Sequence, residues 1–73
     1  ISAGFDAHRA DPIGGLDLVE SDFHWVTERL GEIADKHASG RIVSMLEGGY
    51  DLDALGRSAV AHVRALMGQP PVA

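Results

Sequence analysis

The chain has 73 residues, with 11 Asp and Glu against 6 Lys and Arg for a formal net charge of −5, and no cysteine. A chain this short buries only about 60% of the surface its unfolded form exposes, so a large core of its own is excluded. No basic stripe is present to meet phosphates, no apolar run approaches the roughly 18 residues of a membrane span, and without cysteine there are no disulfides or thiolate metal sites; the expectation is no nucleic acid, no membrane, and a soluble, cytoplasmic protein.

Ile1 to Ala3 reads as the end of a buried strand. Because Ile1 already sits inside an apolar run and no initiator Met precedes it, the chain reads as the carboxyl-terminal end of a larger domain. Residues 1–68 are expected to be that domain part and residues 69–73 a flexible tail. From Gly4 to about Leu18 runs a loop rich in Gly, Asp and Pro, longer than the about 12 residues beyond which irregular loops are usually functional. Asp11 and Pro12 signal a turn within it.

From about Glu20 to Ala38 the positions Phe23, Val26, Leu30, Ile33 and Ala34 follow helical spacing and predict one amphipathic helix with that stripe buried, closed by Ser39 and Gly40. Val19 stands where a capping hydroxyl is expected, leaving the cap to Ser21 or Asp17. Arg41 to Leu46 predicts a second strand, with Ile42 and Val43 suited to cover on both faces. Asp51 is a good N-cap for a second helix whose expected stripe is Leu52, Leu55, Ala59, Val63 and Leu66, ending at Gly68. Trp25 is expected in the core, and His24, His37 and His62 in structural or solvated roles, His24 on an exposed turn. The order βαβα implies an α/β fold with parallel strands and a right-handed crossover. In such a sheet, chemistry collects beyond the carboxyl ends of the strands.

Each apolar run ends in a glycine followed by a reactive side chain: Gly4-Phe5-Asp6, and Gly48-Gly49-Tyr50. Asp6 is a metal or substrate carboxylate, or a loop residue capping a turn. His8 stands two residues on, a spacing that holds a divalent metal through oxygen and imidazole, although one such pair supplies only two ligands. Gly48 and Gly49 before a helix can cradle a phosphate, which keeps a nucleotide-binding half-domain open, but the full G-x-G-x-x-G pattern is missing. The Tyr50 hydroxyl is a neutral donor able to meet an oxyanion as its charge develops, or simply packs on a strand end. The acid excess can attract a cationic substrate, yet it is spread along two helices and mostly solvates them.

Taken in order, Ile1-Ser2-Ala3-Gly4-Phe5-Asp6-Ala7-His8, Asp11-Pro12-Ile13-Gly14-Gly15-Leu16 and Leu46-Glu47-Gly48-Gly49-Tyr50-Asp51-Leu52 resemble the C-terminal portion of the histone deacetylase family, closest to its class II type and its bacterial amidohydrolase and acetylpolyamine amidohydrolase relatives. The resemblance covers about residues 1–68. It implies an arginase-like α/β fold around a central parallel sheet, and one zinc ion (Zn2+) hydrolysing an acetyl amide of acetyl-lysine or acetylpolyamine type. Asp6 matches one of three protein zinc ligands, the other two belonging upstream. Tyr50 matches the oxyanion donor. Pro12 and Ile13 match the loop lining the tunnel for the acyl-amine chain, and Gly48 and Gly49 complete the substrate-binding set. His8 moves to the edge of the site, because that position varies in type among relatives. Val19 and Asp51 depart from the family's frequent Thr and Asn without touching the implied chemistry. The isolated segment is not expected to be active, and an acetyl-binding scaffold without turnover is the remaining alternative.

Overall fold

β1 (Ser2–Ala3) and β2 (Met45–Leu46) lie side by side and parallel in the computed structural model, which describes residues 1–72. Ser2 pairs with Met45 and Ala3 with Leu46. Pairing continues beyond these residues: the Met45 N–H donates to the Ile1 carbonyl and the Glu47 N–H to the Ala3 carbonyl, both at 2.9 Å, and the Phe5 N–H donates to the Gly48 carbonyl at 2.8 Å. In a parallel pair both carboxyl ends fall on one edge, so the two loops that follow begin as neighbours.

α1 (Glu20–His37) and α2 (Leu52–Leu66) complete the expected βαβα order. The second strand is shorter than its apolar run, and Val43, expected to be covered on both faces, is exposed. α1 starts without a side-chain cap, from Val19 or from the expected Ser21 or Asp17; instead the Asp22 carboxylate reaches back to the Val19 N–H at 2.8 Å, the reciprocal half of a capping box. Asp51 caps α2 as predicted, accepting from the Ala54 N–H at 3.0 Å. Gly68, at φ 74°, closes α2, with its own N–H on the Ala65 carbonyl at 3.0 Å and the Gln69 N–H on the Arg64 carbonyl at 2.8 Å. The segment beyond is tied back: the Gln69 carbonyl accepts from His24 Nε2 at 2.8 Å and the Pro70 carbonyl from Arg64 Nε at 2.9 Å. Ala73 lies outside the described residues.

The core is small. Ala3, Phe5 and Phe23 form it, with Ala7, Leu55 and Ala59 against them, and the Phe5 and Phe23 rings meet edge to face at 5.2 Å between centroids. The helix stripes differ from expectation. On α1 the buried residues are Phe23, His24 and Thr27, while Trp25, Val26, Leu30 and Ile33 are exposed; on α2 they are Ala54, Ser58, Ala61 and His62, while Leu52, Val63 and Leu66 are exposed. Small side chains on α2 let the helices approach, and each helix carries a second apolar face that finds no cover among the described residues. The accessible surface, 4892 Å², accordingly exceeds the about 4300 Å² expected of a compact monomer of this mass.

His24, expected on an exposed turn, is 2% exposed and bonded to the tail. His62 is also buried. The single Thr27 Oγ1 proton goes to the Phe23 carbonyl at 2.7 Å, so His62 Nδ1 donates to Thr27, and His62 Nε2 meets the Ser44 hydroxyl, both at 2.8 Å. Burial and, secondarily, the N-terminal charge lower the ring's pKa and favour its neutral form. Among the described residues no helix is long and apolar enough to cross a membrane.

Candidate active site

Asp6 leaves the end of β1 with its carboxylate seated between two glycines. A Cβ on Gly48 would stand 2.8 Å from Asp6 Cγ and 2.9 Å from each carboxylate oxygen, and one on Gly4 would stand 3.0 Å from Oδ1. Only residues without a side chain leave that space. Among the described residues no hydrogen bond reaches this carboxylate, so its oxygens remain available to a ligand. Such a cradled, uncommitted oxygen donor fits a divalent metal such as zinc. Among the described residues no group of three or more His, Asp and Glu side chains is placed to hold one, so Asp6 fits as one member of a larger set.

Tyr50 lies beyond β2, two residues after Gly48. Gly49 adopts φ 140°, a backbone conformation that strains an L side chain, and so turns the chain toward α2. The Tyr50 side chain is 54% exposed, and among the described residues its hydroxyl makes no hydrogen bond. Its backbone is fixed: the Tyr50 N–H donates to Asp11 Oδ2 at 2.8 Å. Asp11 Oδ1 accepts from the N–H groups of Ile13 at 2.8 Å and Gly14 at 2.9 Å. Desolvation opposes this carboxylate's charge, but the N–H groups of Tyr50, Ile13, Gly14 and Asp51 together hold its pKa below the ordinary Asp value. Gly14 in turn lies so close to the Asp6 backbone that a Cβ there would meet the Asp6 carbonyl oxygen at 1.7 Å. The contacts therefore form a ring: Asp6 to Gly48, on to Tyr50, across to Asp11, through Gly14 and back to Asp6. Pro12 and Ile13, between Asp11 and Gly14, are exposed, Ile13 at 70%.

His8 does not join it as a ligand. Its Nδ1 accepts the Ala10 N–H at 3.0 Å and its Nε2 meets Glu20 Oε1 at 2.5 Å, so both ring nitrogens are occupied and the metal option raised by its spacing from Asp6 is corrected. The ring is 3% exposed and stacks on Phe23. Glu20 also takes Arg57 Nε at 2.8 Å, and Arg57 is bonded to Asp53. The His8 and Arg57 hydrogen bonds, in that order, lower the Glu20 pKa from 4.5 to about 2. The phosphate alternative also loses its site. The Asp6 carboxylate stands against Gly48, which opposes an anion at the Gly48 and Gly49 cradle, and the N–H groups of Tyr50 and Ala54 next to it are taken by the carboxylates of Asp11 and Asp51. A groove of about 720 Å³ runs past Glu20, Leu52, Arg57 and Val60, and neither Asp6 nor Tyr50 lines it.

Comparison with known proteins matches residues 1–66 to the histone deacetylase domain. The chain belongs to the histone deacetylase family. All 73 residues align at 41% identity with histone deacetylase 10, chloroplastic, of Oryza sativa subsp. japonica, covering 16% of that protein. A probable deacetylase of Methanothermobacter thermautotrophicus is 43% identical over 70 residues, covering 94% of this chain and 19% of its own length. Among solved structures, the HD domain of HDA15 superposes with a TM-score of 0.83 at 39% identity over 99% of this chain and 19% of its own, and the histone deacetylase Clr3 with a TM-score of 0.81 at 35% identity over 97% of this chain and 11% of its own. The α/β arrangement with parallel strands is thus that of a histone deacetylase catalytic domain, of arginase-like fold, and the chain spans less than a fifth of these relatives. The resemblance carried by Asp6 and Tyr50 identified the family; Asp11 and the His8–Glu20–Arg57 chain were not recognised as parts of the surrounding framework.

Proposed function

We propose that these residues are the C-terminal part, residues 1–68 with a short tail, of a zinc-dependent deacetylase that hydrolyses an acetyl amide, of acetyl-lysine or acetylpolyamine type, to acetate and free amine. The observation that carries the reading is the Asp6 carboxylate, cradled by Gly4 and Gly48 at one strand end, with Tyr50 following at the other. Family membership supports the reaction class.

In this reading Asp6 is one zinc ligand and the remaining ligands and the general base come from outside these residues. Zinc, when bound, supplies Lewis-acid chemistry, polarising the acetyl carbonyl and acidifying water. Tyr50 donates its phenolic proton in a hydrogen bond to the carbonyl oxygen, a bond that strengthens as negative charge develops there and so favours the transition state over the bound substrate. Pro12 and Ile13, exposed next to the Asp11 that anchors Tyr50, line the passage for the acyl-amine chain in this reading, and Gly48 and Gly49 complete the substrate-binding set.

The test is made on the full-length protein. Tyr50→Phe is expected to retain zinc and lose about 10²- to 10³-fold in kcat, the usual cost of one oxyanion donor. Asp6→Ala is expected to lose zinc, measured by elemental analysis. Stoichiometric zinc in Asp6→Ala, or near-normal turnover in Tyr50→Phe, removes that residue from the proposal.

A further inference from the structure

We infer that Asp11 is a positioning residue for Tyr50, fastening the loop that carries the phenol to the loop that carries Asp6. The inference rests on the deacetylase reading above and adds to it a group that does not itself touch the reacting atoms.

The two oxygens of Asp11 do different work. Oδ1 accepts the N–H groups of Ile13 and Gly14, two and three residues ahead, which is the local turn that an Asp followed by Pro commonly builds. A turn of that kind leaves Oδ2 free for solvent. Here Oδ2 instead accepts the N–H of Tyr50, a residue 39 positions away on the other strand-end loop. Turn formation does not explain that bond. Its effect is mechanical. Tyr50 sits between Gly49 and the Asp51 cap of α2, its side chain is largely exposed, and among the described residues its hydroxyl has no partner, so the Asp11 bond acts on the backbone just ahead of the helix and leaves the phenol itself unheld. The bond fixes the origin from which the phenol swings, and Gly14 pressed on the Asp6 carbonyl references that origin to the carboxylate. A displacement of about 1 Å at a reacting group is enough to cost about 10²-fold in rate.

Asp11→Asn separates the two tasks. The amide keeps one carbonyl oxygen for the Ile13 and Gly14 turn but sets an NH₂ group against the Tyr50 N–H, two donors facing each other. In the full-length protein, Asp11→Asn is expected to keep its zinc and lose about tenfold or more in kcat. In a Tyr50→Phe background the same substitution is expected to change kcat by less than about twofold, because its route to the chemistry is already cut. Amide exchange at Tyr50 is expected to be slow in the wild type and to quicken in Asp11→Asn, a readout that needs no turnover. Full additivity with an impaired Tyr50→Phe, loss of zinc from Asp11→Asn, or unprotected exchange of the Tyr50 amide in the wild type each overturns the inference while leaving the deacetylase reading in place. If Tyr50→Phe alone turns over normally, it is the deacetylase role of Tyr50 that fails. Should Asp11→Asn not fold, the wild-type exchange measurement decides.

Discussion

The loop after β1 is held by its own side chains and those of the helices, whereas the loop after β2 is held by the first loop. Residues 4–18 carry the buried His8 on Phe23 and Glu20, the Asp11 turn, and backbone bonds from Arg9 N–H to the Leu18 carbonyl at 2.9 Å and from Leu18 N–H to the Ala7 carbonyl at 3.0 Å. The fastenings of Gly48 and Tyr50 go to Phe5 and Asp11, both in the first loop. The carboxylate thus belongs to a framework, and the phenol borrows that framework while keeping its side chain exposed. On the proposed deacetylase reading, a fixed ligand beside a less constrained hydrogen-bond donor suits a reaction in which the donor is needed only as charge develops.

The largest expected effect comes from breaking the contact between the two loops. Gly48→Ala would drive a methyl group into the Asp6 carboxylate, so zinc content should fall and turnover drop by about 10²-fold or more in the full-length protein. Full zinc occupancy with normal turnover would show that the cradle is dispensable. Next, the framework loop should carry stability that the second loop does not. His8→Ala is expected to cost about 2–4 kcal/mol in chemical denaturation, from the cavity left beside Phe23 and the lost Glu20 and Ala10 hydrogen bonds, against a change within about 0.5 kcal/mol for the exposed Tyr50→Phe. Equal losses from both would erase the contrast.

Smaller still is the acid response of the framework. Glu20 is held at about 2 against an ordinary 4.5, so it is more acidic folded than unfolded. Its contribution is fully present above pH 4.5 and is lost as pH falls toward 2, where the folded state must take up the proton. Glu20→Gln should flatten the stability profile across that window, and an unchanged slope in a pH-dependent denaturation series would argue against the His8 and Arg57 bonds as its cause. Smallest is a change remote from both loops: Gly31 lies inside α1, and a methyl group added there would meet nothing within 4 Å, so Gly31→Ala should stabilise by about 1 kcal/mol with kcat unaltered.

The placement of Asp6 and Tyr50 beyond neighbouring strand ends, the Asp51 cap, the Gly68 stop and the order of elements were legible because each depends on local chemistry or on an ordered motif. The helix faces were not. Helical periodicity finds the bulkiest apolar stripe, but α2 buries Ala54, Ser58 and Ala61, whose value lies in allowing close approach, and both helices carry apolar side chains on more than one side. The buried histidines were hidden for a related reason: Thr27, Ser44 and the Gln69 carbonyl, which satisfy His62 and His24, come from separate stretches of chain. Asp11 was visible as a turn residue through its Oδ1, while the Oδ2 bond to Tyr50 exists only once the strands pair.

That bond also dates the site in the life of the chain. Helices and the Asp11 turn form from near neighbours, but joining Asp11 to Tyr50 closes a 39-residue separation, for which the length-dependent part of the closure entropy is about 3 kcal/mol. Contacts of such span assemble after local ones. The Asp6–Tyr50 arrangement is therefore expected to complete after the local turns, so that on the deacetylase proposal competence for chemistry arrives late in folding.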